Sequence, residues 1–250
     1  MSTDPVSYED ADDVLRNRIV LITGASDGIG KALAVRVANR GAQVVLHGRD
    51  TRKLEGVYDE ISELENAPRP TIAVLDLATA DSDAYLSLAN SIDQEFGRLD
   101  GLVHNAGILG ERLSIEQYDA ADWQRVMHVN LTVPFVMTQV LFPLLRKSAD
   151  PSVIFTSSGV GRIGKAFWGA YSVSKFGTES LSQILAAENL HIPMRFNCIN
   201  PGPVRTKMRQ AAYPAEDRDA LKQAQDILST YMYLLGPDSQ GVTGKSFDAQ

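Results

Sequence analysis

Tyr171 and Lys175 stand four residues apart in the stretch YSVSK. In a helix this spacing puts both side chains on one face, one turn apart, so that an ammonium group lies near a phenol. Many helices carry such a pair by chance. Here Ser157 and Ser158 precede the pair, and a glycine-rich stretch at residues 23–30 opens the first strand-to-helix unit. Together these features predict chemistry that moves a proton and a hydride.

The glycine-rich stretch reads TGASDGIG, and its glycines are spaced G-x-x-x-G-x-G. Glycines at the end of a strand allow a tight turn and a close backbone approach, and the N-terminus of the next helix then faces a pyrophosphate. The alternative is an ordinary glycine-rich turn without a ligand. The residues of this turn predicted to bind a dinucleotide are Gly24, Ser26, Asp27, Gly28, Ile29 and Gly30.

The end of the second predicted strand indicates which dinucleotide binds. A carboxylate there would accept hydrogen bonds from the ribose hydroxyls of NAD, but this chain has Gly48-Arg49. Arginine binds phosphate groups through two parallel charged hydrogen bonds, so Arg49 favours NADP (NADPH) over NAD. Arg52 is a candidate helper. The alternative is a solvated surface arginine paired with Asp50.

Three further strand ends carry candidate cofactor contacts, because ligands of open α/β sheets bind at the carboxyl ends of the strands. The third strand is followed by an acid that could hold the adenine edge, the fourth by small residues that let a ribose lie close, and the sixth by a proline-glycine turn. These residues are Asp76, Leu77, Asn105, Ala106, Gly107, Pro201, Gly202, Val204 and Thr206.

Short apolar runs alternate with longer helical patterns along the whole chain. Near-continuous apolar strands separated by helices are typical of a parallel sheet covered on both faces. We therefore predict a Rossmann-type, doubly wound α/β fold of about seven strands, in the order 3-2-1-4-5-6-7. One helical stretch, about 121–147, is expected to bend or open a turn at Pro134. Because no linker divides the chain, residues 1–250 are predicted to form one domain.

Composition narrows the class of protein. Of 250 residues, 24 are basic and 31 acidic, which gives a net charge of −7 and argues against nucleic acid or an anionic membrane as partner. The single cysteine, Cys198, excludes an intrachain disulfide and is expected to be buried and inert.

The N-terminus lacks the pattern of a signal peptide, and no apolar run approaches the ~20 residues of a membrane span. The four histidines show no metal-ligand spacing, so we expect no metal. A cytoplasmic location is the expectation.

Taken in order, these motifs resemble the short-chain dehydrogenase/reductase family, in its compact single-domain form, over about residues 17–247. More narrowly, the chain is similar to the bacterial YciK-type oxidoreductases. The residues that carry the family resemblance are the 23–30 turn, Asn105-Ala106-Gly107, Asn130, Ser158, Tyr171, Lys175 and Pro201-Gly202. The likeness to the YciK type lies in the stretches HNAG (104–107), FTSS (155–158), WGAY (168–171) and the ending FDAQ (247–250). The chain departs from the family at His104, where a second asparagine is common, and at Leu131, where glycine is common after the catalytic asparagine.

The resemblance implies a role for each of four catalytic residues. Tyr171 would be the general acid of carbonyl reduction and the base in the reverse direction. Lys175 would lower the pKa of that phenol and bind the nicotinamide ribose, and both Tyr171 and Lys175 are expected to contact the cofactor. Ser158 would orient the carbonyl, with Ser157 ranked second, and Asn130 would hold a water that links Lys175 to solvent.

The implied function is hydride transfer between NADP(H) and a small carbonyl or alcohol substrate by a carbonyl reductase or alcohol dehydrogenase. The alternative is a non-catalytic protein that senses dinucleotides and regulates a partner. Residues 203–235 would form a substrate lid, in which Arg205, Lys207 and Arg209 either recognise an anionic substrate or are simply solvated. Phe167 and Trp168 either wall an apolar pocket or pack in the core. A homodimer or homotetramer, built from the long helices around the fifth strand, is also implied.

Overall fold

A single parallel sheet organises the chain. The structure is a computed structural model that describes residues 4–250, so residues 1–3 of the predicted domain lie outside the described part. The strand order is β3-β2-β1-β4-β5-β6-β7, which confirms the predicted order and number of strands. The strands are β1 (Ile19–Thr23), β2 (Gln43–Gly48), β3 (Thr71–Val74), β4 (Gly101–His104), β5 (Ser152–Thr156), β6 (Arg195–Asn200) and β7 (Ser246–Asp248).

Helices cover both faces of this sheet and return the chain from each strand to the next. In residues 4–250 they are α1 (Gly28–Asn39), α2 (Thr51–Ser62), α3 (Ser82–Phe96), α4 (Ala120–Met127), α5 (Val133–Leu145), α6 (Gly169–Glu188), α7 (Lys207–Ala212) and α8 (Ser229–Leu235). Because every strand pairs in parallel, the carboxyl ends of all strands meet at one edge.

Alternate strand residues supply two separate cores, as the period-2 geometry of a strand requires. Val20 and Ile22 of β1 belong to the core beneath α1, α2 and α8. Leu21 belongs to the core beneath α3, α5 and α6 on the opposite face. Burial of each such aliphatic side chain contributes about 1.5–3 kcal/mol to the free energy of unfolding. The two cores therefore stabilise the sheet whose carboxyl edge carries the predicted site residues.

The predicted long helix is interrupted before Pro134 rather than at it. α4 and α5 are joined into one helical run by a π-helical turn at His128–Thr132, which lies just before Pro134. Because proline has no N–H to donate to the preceding turn, the regular α-helical hydrogen bonding changes next to it. π-Helical turns inside helices often mark functional positions, and this turn contains Asn130.

The run Ala120–Leu145 has the length and composition of a membrane-spanning helix, with a mean hydropathy of 1.4 in its most apolar window. This differs from the expectation that no segment reaches that length. Half of the window is buried inside the domain, and a buried core helix meets the same criterion.

Candidate active site

The glycine-rich turn is shaped by residues that have no Cβ. Gly24 and Gly28 have φ angles of +67° and +53°, a region that residues with side chains rarely adopt. A Cβ on Gly30 would collide with the backbone of Gly24, lying 2.8 Å from its carbonyl carbon. The side chain of Asp27 caps α1 by accepting a hydrogen bond from Gly28 N at 2.9 Å. The start of α1 therefore lies closely against the end of β1, as a pyrophosphate site requires.

The turn after β4 is fastened to the end of β1. Thr23 Oγ1 accepts hydrogen bonds from the amides of Asn105 and Ala106, each at 3.0 Å. Asn105 Nδ2 in turn donates to Thr23 O at 3.1 Å. A Cβ added to Gly107 would lie 3.3 Å from Asn130 Oδ1 and 3.8 Å from Lys175 Nζ. The small residues of this turn thus keep open the space between β1 and the proposed catalytic groups.

A cavity of about 300 Å³ lies at the carboxyl edge of the sheet and brings most of the predicted site residues together. Its lining includes the following predicted residues: Gly24, Asp27, Gly28, Ile29, Asn105, Ala106, Gly107, Ser158, Tyr171, Lys175, Pro201, Gly202, Val204 and Thr206. Ser157 also lines it. Leu109, Trp168, Met208, Arg209 and Ala212 line it as well. Met208 and Ala212 fall within the lid predicted at residues 203–235, whereas nothing in the sequence indicated Leu109, because an apolar residue there is equally typical of a core.

Tyr171 and Lys175 are both buried on α6. Lys175 Nζ lies 5.6 Å from the centre of the Tyr171 ring and donates a hydrogen bond to Thr156 O at 2.6 Å. Burial lowers the pKa of Lys175 to about 8, which still leaves most of the ammonium charged near neutral pH. The end of β5 therefore fixes the ammonium one helical turn from the phenol.

The expected lowering of the Tyr171 pKa is not found in this structure. Burial raises the pKa of Tyr171 to about 12, and a hydrogen bond with Ser158 opposes that rise. Desolvation disfavours the phenolate more strongly than the neighbouring groups favour it. Tyr171 is consequently held as the neutral phenol, the form that can donate a proton.

Of the two serines, Ser158 has the better geometry. Both serines line the cavity, but only Ser158 influences Tyr171, where it opposes the rise of the phenol pKa. Ser157 Oγ is buried and has no hydrogen-bond partner in the described part of the chain. A Cβ on Gly161 would lie 3.0 Å from that oxygen and 2.7 Å from Lys175 Cβ, so this glycine lets the loop after β5 pack directly on α6.

Asn130 is buried behind the cavity rather than on its lining. Its Oδ1 accepts a hydrogen bond from Ile108 N at 2.8 Å, and its Nδ2 donates to Ile108 O at 2.9 Å and to Ser174 Oγ at 3.2 Å. The π-helical turn carries this side chain to the loop after β4. Leu131, where the family commonly has glycine, packs against Gly177 of α6. A Cβ added to Gly177 would lie only 2.6 Å from a methyl carbon of Leu131, so the leucine fits because residue 177 is a glycine.

Several predicted cofactor residues lie outside the cavity lining, namely Ser26, Gly30, Arg49, Asp76 and Leu77. Arg49 is exposed at the end of β2. Asp50, its proposed surface partner, instead caps α2 by accepting a hydrogen bond from Lys53 N at 3.2 Å. None of the ion pairs within residues 4–250 involves Arg49, so its guanidinium is available at this edge of the sheet.

The segment after β6 contains α7, and Thr206 caps that helix by accepting a hydrogen bond from Arg209 N at 3.1 Å. Arg205 pairs with Asp219 at 3.0 Å. Residues 4–250 contain no group of three or more His, Cys, Asp and Glu side chains arranged to hold a metal ion. Burial raises the pKa of the Cys198 thiol, which is consistent with an inert side chain.

Comparison with known proteins gives consistent matches. A sequence model described as short chain dehydrogenase matches residues 18–217. The oxidoreductase YciK of Escherichia coli K12 is 47% identical over 243 residues, which cover 97% of this chain and 96% of that protein. A short-chain dehydrogenase from Shigella flexneri 2a, solved in complex with NADP, has 47% identity and a TM-score of 0.93, with coverage of 96% and 100%. A related structure from E. coli CFT073, in complex with NADPH, has 48% identity, a TM-score of 0.93 and the same coverage.

Proposed function

The chain belongs to the short-chain dehydrogenase/reductase family of oxidoreductases, and from that premise we propose that it transfers a hydride between NADP(H) and a carbonyl or alcohol substrate. The family resemblance, including that to YciK, is confirmed. The observation that carries the proposal is one cavity bounded both by the glycine-rich turn and by Ser158, Tyr171 and Lys175.

The residues present fit a bound dinucleotide. The close packing at Gly30 supplies a tight turn, the N-terminus of α1 supplies the positive end of a helix dipole, and the unpaired Arg49 supplies a cation for the 2′-phosphate of NADP. Solved relatives that carry NADP or NADPH support the same cofactor. When bound, the nicotinamide supplies the hydride.

The proton chemistry follows from the side chains of this chain. Ser158 would position the substrate oxygen beside Tyr171, whose phenol donates a proton to it as the alcohol forms. Lys175 keeps a positive charge close to the developing phenolate and stabilises it. Asn130 orders the loop after β4 through Ile108, and we propose that the same side chain supports a water relay toward Lys175.

Screening tests this proposal directly. NADPH oxidation is followed at saturating cofactor with a panel of ketones, aldehydes and quinones, and turnover of at least one class is expected. Tight NADPH binding without turnover of any compound would instead favour the dinucleotide-sensing alternative.

Replacing Arg49 with alanine is expected to weaken NADPH binding about 10- to 100-fold, because a charged hydrogen-bond pair of about 1.5–3 kcal/mol is lost. NADH binding should change little, since NADH lacks the 2′-phosphate. Fluorescence titration gives both dissociation constants. Arg69→Ala, an exposed arginine beside the amino end of β3, is the matched control. Equal weakening of both cofactors would contradict the assignment.

An apolar surface supports the proposed homodimer or homotetramer. Phe135 of α5 is 46% exposed, and Val173, Phe176 and Ile184 of α6 are 44%, 42% and 50% exposed. Both helices flank β5, as the proposed interface requires, and exposed large apolar side chains are typical of surfaces that become buried on assembly.

Ile184→Glu is expected to shift the protein toward the monomer, because a buried carboxylate without a partner destabilises an apolar interface. Sedimentation or light scattering over a concentration series measures the shift. Leu86→Glu on α3, with the same 50% exposure, serves as the control and should leave the assembly intact. Equal behaviour of the two variants would place the interface elsewhere.

A further inference from the structure

The part of the cavity beyond Tyr171 is walled by apolar side chains. Trp168 and Ala212 form a small buried cluster with Tyr171, and Leu109 and Met208 pack against it. All five residues line the cavity. We call the space that they enclose the substrate compartment. Its walls come from the loop after β4, from the segment before α6 and from α7.

Two of the cations that line the cavity, Lys207 and Arg209, already have acidic partners. Lys207 Nζ forms an ion pair with Asp27 Oδ2 at 2.7 Å and so joins α7 to the glycine-rich turn. Arg209 Nε donates to Glu216 Oε2 at 2.6 Å, and a second nitrogen of the same guanidinium bonds the other oxygen. A paired guanidinium gains little from a new anion, because the first carboxylate already satisfies its charge.

A third cation, Arg112, is stacked between aromatic rings. Its guanidinium carbon lies 4.5 Å from the centre of the Trp168 ring and 4.9 Å from that of Tyr213. Nη1 also donates a hydrogen bond to Ala212 O. Cation–π contacts of this kind are favourable and have a fixed geometry. Arg112 therefore ties the loop after β4 to two of the compartment's walls.

We propose that the substrate compartment takes an uncharged carbonyl compound with an apolar body, and that Arg112 is a positioning residue that holds the wall. This inference rests on the proposed function and adds the substrate class. A carboxylate or phosphate on the substrate would lose hydration in an apolar compartment where Lys207 and Arg209 are already paired and where Arg112, which has no acidic partner within residues 4–250, does not line the cavity. An apolar body would gain from burial against Trp168 and Met208.

Matched pairs of compounds test the substrate class. Benzaldehyde is compared with 4-carboxybenzaldehyde, and cyclohexanone with 4-oxocyclohexanecarboxylate, by kcat/KM for NADPH oxidation. Binding is measured separately, with NADP⁺ present, from the fluorescence of Trp168 in a Trp123→Phe variant, which retains no other tryptophan. The neutral member of each pair is expected to be favoured about tenfold or more in both measurements, since burial of an unpaired charge is unfavourable.

The two readouts separate the inference from the proposed function. Preferred binding of the neutral compounds without turnover of any compound overturns the function and supports the compartment's selectivity. Turnover with equal or better use of the carboxylates overturns the inference and leaves the function standing. Failure of both compound classes to bind or react overturns both.

Arg112→Gln tests the positioning role. KM for the neutral compounds should rise about three- to tenfold, as the loss of cation–π stacking predicts, with the NADPH dissociation constant unchanged. A loss confined to the carboxylates would show that Arg112 binds a substrate anion, which overturns the proposal. If this variant does not fold, Glu216→Gln tests the pairing argument, because it frees Arg209. Relative kcat/KM for the carboxylates should then increase, and an unchanged ratio would contradict the argument.

Discussion

Replacing Tyr171 with phenylalanine is expected to lower kcat for carbonyl reduction about 10²–10⁴-fold, the usual contribution of general acid catalysis. The phenyl ring keeps the packing against Trp168, whose ring centre lies 5.7 Å away, and the position beside Lys175. Only the proton donor is removed. NADPH affinity should therefore be largely retained, because the glycine-rich turn and Arg49 are untouched. Steady-state kinetics and a fluorescence titration measure the two effects.

Tyr233→Phe is the matched control for this prediction. Tyr233 is as buried as Tyr171, at 9% exposed, and packs against Tyr8 on the opposite face of the molecule from α6. Loss of one buried hydroxyl there should leave kcat unchanged. If Tyr171→Phe retained full activity, or if both variants lost it equally, Tyr171 would not be the proton donor.

The sheet could be predicted from the sequence because its signals are local. Mainly apolar runs of four to six residues indicated β1 to β6, and the right-handed crossover rule left few orders for a doubly wound sheet. α6 spans the predicted residues 169–188 because the helical pattern is continuous there. Ser158 follows the carboxyl end of β5, and Tyr171 and Lys175 lie near the start of α6, the next helix along the chain. The sequence pattern alone therefore predicts that the three residues lie close together.

The details that the sequence did not reveal depend on groups distant in the chain. The pKa of Tyr171 rises rather than falls because burial desolvates the phenol, and burial is a property of the whole fold. The partners of Lys207 and Arg209 are likewise invisible in sequence, since Asp27 lies 180 residues from Lys207. The π-helical turn at Asn130 has no local signal apart from the nearby Pro134.

Replacing Gly30 with alanine is expected to disrupt cofactor binding strongly. The backbone of Gly30 has an ordinary φ, so strain in the chain is not the reason. A Cβ would lie 2.5 Å from Asn105 Nδ2 and 2.8 Å from the carbonyl carbon of Gly24, and backbone atoms cannot move aside as a flexible side chain can. Overpacking of this kind lowers the free energy of unfolding by about 1–3 kcal/mol, so the Tm should fall. If the turn shifts to relieve the contact, a similar loss of binding free energy would weaken the NADPH complex roughly 10- to 100-fold.

Gly56→Ala separates this steric effect from the general effect of adding a methyl group. Gly56 lies within α2, and nothing stands within 4 Å of the position that its Cβ would occupy. Alanine there should stabilise the protein by about 0.4–1 kcal/mol, because the unfolded chain loses freedom and the helix loses none. Thermal unfolding and NADPH titration of both variants give the comparison. If Gly30→Ala bound NADPH as tightly as Gly56→Ala, the close contact between α1 and β1 would not be what shapes the pyrophosphate site.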